Sequence, residues 1–512
     1  MLPRATSWEA LHAGFGWDLP LRLNMAAQAL GGDPAALAIV DLTGPARRDI
    51  TRGELAAMAG GLARALAARG VVRGDRVGVL MGQDAWCAAA HGAIWALGAI
   101  SVPLFKLFGP EALATRIGDC GLAVAVTDAE GAAMLARFGL DLMIPHTAPP
   151  HPAPLDPVTT GPEDPAILIY TSGTTGAPKG ALHGHRLLTG HLPGVELSHD
   201  LLGQPGDTLW TPADWAWIGG LFDVLMPGLA LGVPVVAAPT RGFDPETCAR
   251  VIRDGAVRNV FFPPTALRML KAADARLPGL RSVASGGEPL GAEMRDWGRR
   301  ALGVTINEFY GQTECNMIVS SCAALYDTPP GAMGRAVPGH QVAVIDAAGR
   351  PTAGEGDIAV RRGSASMMLG YWQNPDATAG KYRGDWMLTG DRGAADGPVL
   401  RFVGRQDDVI TSAGYRIGPA EIEDCLLTHP AVASAGVVGK PDRLRTEIVK
   451  AYVVAKPGMQ APDLPGQLQD HVRARLARHA YPREVEIVEA LPMTVTGKVM
   501  RKALKARAAG ED

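Results

Sequence analysis

The chain lacks the features that would place it among metal-ribbon, disulfide-framework, nucleic-acid-binding or membrane-spanning proteins. Its six cysteines (Cys87, Cys120, Cys248, Cys315, Cys322 and Cys425) form no CxxC pair and no metal-ligand spacing. That pattern fits reduced, mostly buried thiols in a cytoplasmic protein. There is no excess of basic charge: 49 Lys and Arg against 52 Asp and Glu leave a net charge of -3, which argues against nucleic acid or an anionic membrane as partner. No uninterrupted apolar run opens the chain, since MLPRATSWEALHAGFGWDLP carries polar and charged residues where a signal peptide needs none. Two apolar stretches remain, Trp86 to Leu104 and Leu221 to Pro239. The first contains His91 and ends at Pro103 and Leu104; the second holds Asp223, Pro227, Gly228, Gly232 and Pro234, so both read as core segments rather than membrane spans. No repeat recurs at a fixed period.

What is present is a chain of 512 residues with 47% hydrophobic and 20% charged residues, an ordinary globular composition long enough for two to four domains. Thr51 and Glu54 form a capping-box signature before Leu55, Met58, Leu62 and Leu66 at helical spacing, with Gly70 as a stop. Strand-like Arg76 to Leu80, a helix from Asp84 to Leu97, a strand at Ile100 to Pro103, a helix after Pro110 and a strand at Leu122 to Thr127 follow in alternation. Such alternation implies layered α/β structure. A proline-rich segment, Pro145 to Pro165, separates this unit from a second α/β run with strands at Leu209 to Pro212, Val233 to Ala238, Asn259 to Phe262 and Ser282 to Ser285. Ala343 to Asp346 and Asp357 to Arg361 read as strands of a smaller β unit, and the last hundred or so residues as a compact α+β domain.

The most informative stretch is Ile167 to Gly180, ILIYTSGTTGAPKG. Ile167 to Tyr170 is a buried-strand run that empties into a loop of hydroxyls and glycines. Gly173, Gly176 and Gly180 let backbone amides approach an anion; Thr171, Ser172, Thr174 and Thr175 add hydroxyl donors, and Lys179 adds a cation. The loop suits a triphosphate. It is not a Walker loop, because Pro178-Lys179-Gly180 stands where Gly-Lys-Ser/Thr is needed. Any four residues of it alone read equally well as a turn between strand and helix.

Over its whole length this stretch resembles the phosphate-loop signature of the adenylate-forming enzymes, which include acyl-CoA synthetases, peptide-synthetase adenylation domains and luciferases. Further matching motifs fall in the family's order: SGGEP from Ser285, YGQTE from Tyr310, TGD from Thr389, GRQDD from Gly404, SAGYRIGPAEIE from Ser412 and PMTVTGK from Pro492. The resemblance implies a large N-terminal domain, residues 1–406, of layered α/β subdomains plus a small β unit. It also implies a small mobile α+β C-terminal lid, residues 407–512, hinged at Asp407.

The resemblance also implies the site. Acyl-adenylate formation joins two anions, a carboxylate and ATP, so positive charge and alignment are what the protein must supply. Lys179 and the loop hydroxyls would hold the outer phosphates, Glu314 would ligate Mg²⁺ with Thr313 beside it, and Lys498 would bridge the attacking carboxylate and the α-phosphate. Gly287, Glu288 and Pro289 match the adenine-contacting segment, Tyr310 offers a ring to the base, and Asp391 and Arg405 match residues at the ribose. Gly414 and Arg416 lie in the segment that meets CoA, with Arg473 a looser match toward its 3′-phosphate.

Trp217, Ile218, Gly219, Gly220, Gly286 and Gly311 would wall the acyl pocket. Acetyl-CoA synthetases carry tryptophan where this chain has Gly311, which implies a deeper pocket and an acid longer than acetate, medium-chain or cyclic, unless neighbours such as Trp215 or Phe222 refill the space. The expected protein is a cytoplasmic, monomeric or homodimeric acyl-CoA synthetase using ATP, Mg²⁺ and CoA. The alternatives are an acetyl- or propionyl-CoA synthetase, a ligase loading a carrier-protein phosphopantetheine, and a non-catalytic nucleotide-binding homologue.

Overall fold

The computed structural model describes residues 2, 3, 6–171, 178–238, 242–405, 408–412, 415–443, 445–476, 481–494 and 498–510, with backbone alone at 415 and 416. Local sequence rules start its helices. Thr51 accepts from the Glu54 amide while the Glu54 carboxylate accepts from the Thr51 amide, closing the expected capping box on helix Arg52–Ala67. Asp84 caps Ala85–Ala96 by accepting from the Cys87 amide, and every residue of that helix except Trp86 is buried. A helix enclosed on all sides has no need of a polar face, which accounts for the first apolar stretch. The second resolves into a π-helical turn Leu221–Leu225, a helix Met226–Leu231 and a strand Val235–Ala237. Among the described residues no helix is long and apolar enough to cross a membrane.

Three sheets organise the described residues. The first has seven strands, with Pro165–Thr171, Ile100–Pro103, Arg76–Leu80, Val124–Thr127 and Asp141–Met143 side by side and parallel. Pro165–Thr171 also pairs antiparallel with Lys179–Gly184, setting Thr171 opposite Lys179. The hydroxyl- and glycine-rich loop therefore joins two strands of one hairpin, not a strand and a helix. The edge of Pro165–Thr171 facing away from Ile100–Pro103 carries unpaired backbone groups that a returning strand satisfies and a helix would not.

The second sheet has fourteen strands. Its parallel centre runs through Leu37–Asp41, Val235–Ala237, Leu209–Trp210, Asn259–Phe261, Ser282–Gly286 and Ile306–Gln312. Antiparallel strands then extend it through Cys315–Ser320, Gly334–Ala336, Val399–Arg405, Trp386–Asp396, Glu355–Arg361 and Val342–Ile345. The expected smaller β unit is thus hydrogen-bonded onto the second α/β run as one ladder, as short strands that cannot stand alone require. Leu37–Asp41, at the start of the chain, also belongs to this sheet rather than to the first.

The proline-rich segment is irregular, as expected, yet packed. The Ala153 amide donates to the Ala57 carbonyl at 3.1 Å. A Cβ on Gly60 would stand 2.1 Å from the Ala153 carbonyl oxygen, so glycine is what lets the segment lie on helix Arg52–Ala67.

The third sheet, of five strands, comprises Ile410–Ser412, Tyr415–Ile417, Val432–Asp442, Thr446–Ala455 and Glu484–Ile487. Helices Pro419–Leu427 and Leu464–Arg475 close a separate apolar core over it, built on Ile422, Leu426, Val437, Val453, Leu468 and Val472. A core of its own supports a C-terminal unit; Asp407 lies outside the described residues.

Candidate active site

The residues singled out by the motifs follow the strands that end at Thr171, Gly286 and Gln312, the end of the strands where open α/β sheets carry their sites. Thr171 ends its strand there, with its hydroxyl 3.4 Å from the Lys179 carbonyl. Ser172, Gly173, Thr174, Thr175 and Gly176 lie outside the described residues. The Lys179 ammonium stands 5.3 Å from the centre of the Tyr371 ring. The Tyr371 hydroxyl in turn donates to Glu314 Oε1 at 2.5 Å.

Glu314 and Thr313 form the turn between Ile306–Gln312 and Cys315–Ser320, and Glu314 is 8% exposed. Beside it Lys381 donates to Gln312 Oε1 at 2.9 Å and to the Leu388 carbonyl at 3.3 Å, with its ammonium 3.9 Å from Glu314 Oε1. Burial pushes the Lys381 pKa down, against the pull of Glu314 and Asp391. The sequence reading missed both Tyr371 and Lys381. Neither sits in a recognisable motif, and each is more than fifty residues from Glu314 along the chain.

Asp391 and Arg405 are cross-strand partners, and Arg405 Nη1 stands 4.0 Å from Asp391 Oδ1. Tyr310 donates its hydroxyl to Asp391 Oδ2 at 2.5 Å. The tyrosine expected for its ring thus also holds a buried carboxylate. Burial raises the Asp391 pKa, opposed first by the Tyr310 hydroxyl and then by Arg405, Lys381 and Lys498.

Gly287 opens the next loop at φ +96°, a conformation that favours glycine. Glu288 after it accepts from Arg268 at 3.2 Å, with Pro289 following. Lys498 reaches this loop from the C-terminal unit: its backbone closes a small loop with Thr494 through bonds of 2.7 and 3.0 Å. A Cβ on Gly287 would lie 3.9 Å from Lys498 Cε and 3.3 Å from the Trp217 ring. Burial pushes the Lys498 pKa down, while Glu288 and Asp391 pull it up. Lys498 is therefore partly buried, beside Gly287.

The C-terminal unit meets the N-terminal domain at Gly291, and two further pairs lie within the unit itself. Asp424 lies against Gly291, Arg501 pairs with Glu423, and Lys505 stands 3.5 Å from Asp408. Of the residues expected to meet CoA, Gly414 is outside the described residues and the Arg416 side chain likewise. Arg473 is at the surface, bound to Asp470 at 2.6 Å and stacked 4.3 Å over Tyr481.

On the expected acyl side, Trp217 packs 5.7 Å from Phe261, and a Cβ on Gly219 would meet its ring at 2.5 Å. Ile218 is buried at the start of the same helical segment. Gly220 and Gly286 are not open wall: a Cβ on either would strike the Asp214 carbonyl at 2.2 Å or the Phe309 ring at 2.5 Å. Their missing side chains admit those neighbours. Nor does Gly311 leave a void. A Cβ there would lie 2.5 Å from Asn316 Oδ1, 2.6 Å from the Met317 amide and 2.7 Å from Asn316 Cα, so the depth inferred from the missing side chain is taken up by Asn316. Trp215 and Phe222, the neighbours expected to refill it, are both in the core; Phe222 packs 6.1 Å from Trp95 and 5.3 Å from His191.

A hydroxyl- and glycine-rich hairpin, a buried carboxylate at a strand turn, a second beside an arginine, and a lysine delivered by a C-terminal α+β unit are the parts of an adenylate-forming enzyme. The chain belongs to the AMP-binding enzyme family: residues 26–372 match that family, and residues 421–498 match the AMP-binding enzyme C-terminal domain. It is 38% identical over 362 residues to acyl-coenzyme A synthetase ACSM2, mitochondrial, of Rattus norvegicus, a match covering 68% of this chain and 63% of that protein. Against the acetyl-coenzyme A synthetase of Bacillus subtilis it is 33% identical over 470 residues, 85% of this chain and 81% of the relative. The solved structure of the anthranilate CoA ligase AuaEII with anthranoyl-AMP superposes with a TM-score of 0.87 at 27% identity, covering 96% of this chain and 98% of that one.

Proposed function

We propose that this protein is an AMP-forming acyl-CoA synthetase. A carboxylate oxygen attacks the α-phosphorus of ATP; the new bond is acyl O–P, the broken one joins the α- and β-phosphates, and pyrophosphate leaves. The CoA thiolate then attacks the acyl carbon, and AMP departs with the electron pair of the acyl C–O bond. The observation that carries the reading is the meeting of Lys498, Gly287, Trp217, Glu288 and Asp391 in one cleft, because a cation there can face both a carboxylate and a phosphate.

In this reading Lys498 orients the attacking carboxylate and offsets charge at the α-phosphate, Lys179 holds the outer phosphates, and the Asp391 carboxylate accepts from the ribose hydroxyls. Glu314 fits a magnesium ion. It is a hard oxygen donor, and among the described residues no group of three or more His, Cys, Asp and Glu could hold a metal by itself. Such an ion keeps few protein ligands and takes phosphate oxygens for the rest. When bound it supplies positive charge to the triphosphate. The Tyr371 hydroxyl and Lys381, itself bound to Gln312, keep the Glu314 carboxylate in place. The small-molecule partners are then a carboxylic acid, ATP and CoA. A cytoplasmic setting is supported by the six buried, unpaired cysteines.

Pyrophosphate release with ATP and Mg²⁺ across a panel of acids, with and without CoA, tests this. CoA-dependent turnover is the expected result; adenylate formation with no CoA turnover would transfer the acceptor role to a carrier protein.

A further inference from the structure

The hairpin that carries the hydroxyl- and glycine-rich loop lies in the first sheet and the turn that carries Glu314 in the second, and one short stretch of chain, residues 364–372, ties them together. On one side Gly370 and Tyr371 pair antiparallel with Leu182 and Ala181 of Lys179–Gly184, and the Leu369 and Trp372 amides donate to the Leu182 and Gly180 carbonyls, each at 2.7 Å. On the other side the Met368 amide donates to the Glu314 carbonyl at 2.8 Å, and Met367 bridges Cys315. A single guanidinium fastens the start of the stretch. Arg186, two residues past the hairpin, donates from Nη1 to the Ala365 and Met367 carbonyls at 2.7 and 2.6 Å, while its Nε donates to Glu163 Oε1 at 2.7 Å.

Tyr371 is the point at which the two sides meet. Its ring centre is 5.3 Å from the Lys179 ammonium and its hydroxyl donates to Glu314 Oε1, with Lys381 3.9 Å from that same oxygen. Burial pushes the Tyr371 pKa up and Glu314 adds to the effect, so the hydroxyl stays a donor. Glu314 Oε2 accepts nothing among the described residues, so one oxygen of the carboxylate is held and the other is left for a cation. Lys179 and Glu314 are opposite charges that must serve one triphosphate, and two separate loops would not keep a fixed spacing between them. Resting on the acyl-activation reading, we propose that residues 364–372 are a strap, with Tyr371 and Arg186 as positioning residues, that sets Glu314 against Lys179 so that both meet one Mg²⁺-bound triphosphate. The Tyr371 hydroxyl serves the metal side, its ring serves the phosphate side, and Arg186 acts through the strap.

The test is calorimetry of ATP binding to the full-length protein, with Mg²⁺ and again with EDTA, read as the ratio of the two affinities. Tyr371→Phe should weaken binding in Mg²⁺ by about 10-fold, the scale of losing one hydrogen bond to a charged group, and leave metal-free binding within about 2-fold of wild type. Tyr371→Leu, which removes the ring as well, should add a loss of about 3-fold in metal-free binding. Arg186→Gln should lower the ratio in the same direction as Tyr371→Phe, although Arg186 bonds to neither Glu314 nor Lys179. Damage to the fold would lower both affinities together. A wild-type ratio in Tyr371→Phe, or in an Arg186→Gln protein that melts like wild type, would overturn the inference and leave acyl activation standing. A wild type that binds ATP neither with Mg²⁺ nor without it would overturn the activation reading itself.

Discussion

Removing the Tyr310 hydroxyl should move the pH dependence of ATP use. The Asp391 carboxylate is 8% exposed, takes the Tyr310 hydroxyl at 2.5 Å, and has its arginine no nearer than 4.0 Å. Burial already holds its pKa above the ordinary carboxylate value, and the Tyr310 hydrogen bond is the first of the opposing influences. A hydrogen bond to an ionised group is worth about 1.5–3 kcal/mol, which at about 1.4 kcal/mol per pH unit is about 1–2 units. Tyr310→Phe therefore raises the Asp391 pKa further by that amount. On the proposed reading the ribose hydroxyls need the ionised carboxylate. The acid limb of kcat/KM for ATP then shifts upward by about 1–2 units while the limiting value at high pH changes little. Stability follows the opposite sense. A carboxyl whose folded pKa is raised loses stabilisation as pH climbs from its ordinary value through the raised one, so the variant also loses more stability than wild type across that window. The assay is pyrophosphate release at several ATP concentrations from pH 5.5 to 9. An unmoved or downward-shifted limb would refute the role given to Asp391.

Lys498→Ala should lower adenylate formation by about 10²–10³-fold, the scale of losing one oriented charge at a transition state. Thioester formation from a supplied acyl-adenylate should be little changed, and a parallel fall in both half-reactions would remove Lys498 from the first. Lys381→Met should raise the KM for ATP by about 10-fold or more, because Glu314 and Gln312 lose the cation that orients them; calorimetry of ATP binding with and without Mg²⁺ checks it. Gly311→Ala should lower stability by about 1–3 kcal/mol in denaturant unfolding, because its Cβ meets backbone atoms of residues 316 and 317 at 2.6–2.7 Å. Asp424, pushed up to about 7 mainly by burial and then by Glu423, loses its stabilising contribution as pH rises from the ordinary carboxylate value through about 7. Asp424→Asn should therefore flatten the fall in Tm between pH 5.5 and 8.

Much of the fold was legible because its signals are local. The capping box at Thr51 and Glu54, the Asp84 cap, the apolar strands Arg76–Leu80 and Ile100–Pro103, and the proline starting Pro419–Leu427 each depend on residues within a few positions of one another. The hairpin after Thr171 was not, since a hydroxyl- and glycine-rich turn looks the same whether a helix or a strand follows. The ladder joining the smaller β unit to the second sheet through Gly334–Ala336 was equally hidden, because strand partners are chosen across long sequence distances.

The same division runs through the site. Lys179, Glu314, Asp391, Arg405 and Lys498 stood out from motifs whose residues lie side by side in the chain. Tyr371 and Lys381, single residues in unremarkable surroundings, became visible through the contacts that bring them to Glu314. By itself the sequence determined the family, the helix caps, the strand cores and the charged groups of the cleft, all properties carried by neighbouring residues. Tertiary structure alone decided that Gly220 and Gly286 make room for protein atoms, that Asn316 occupies the space beside Gly311, and that Asp223 lies behind it. Occupied volume depends on which distant atoms arrive there, and no short stretch of sequence contains that information.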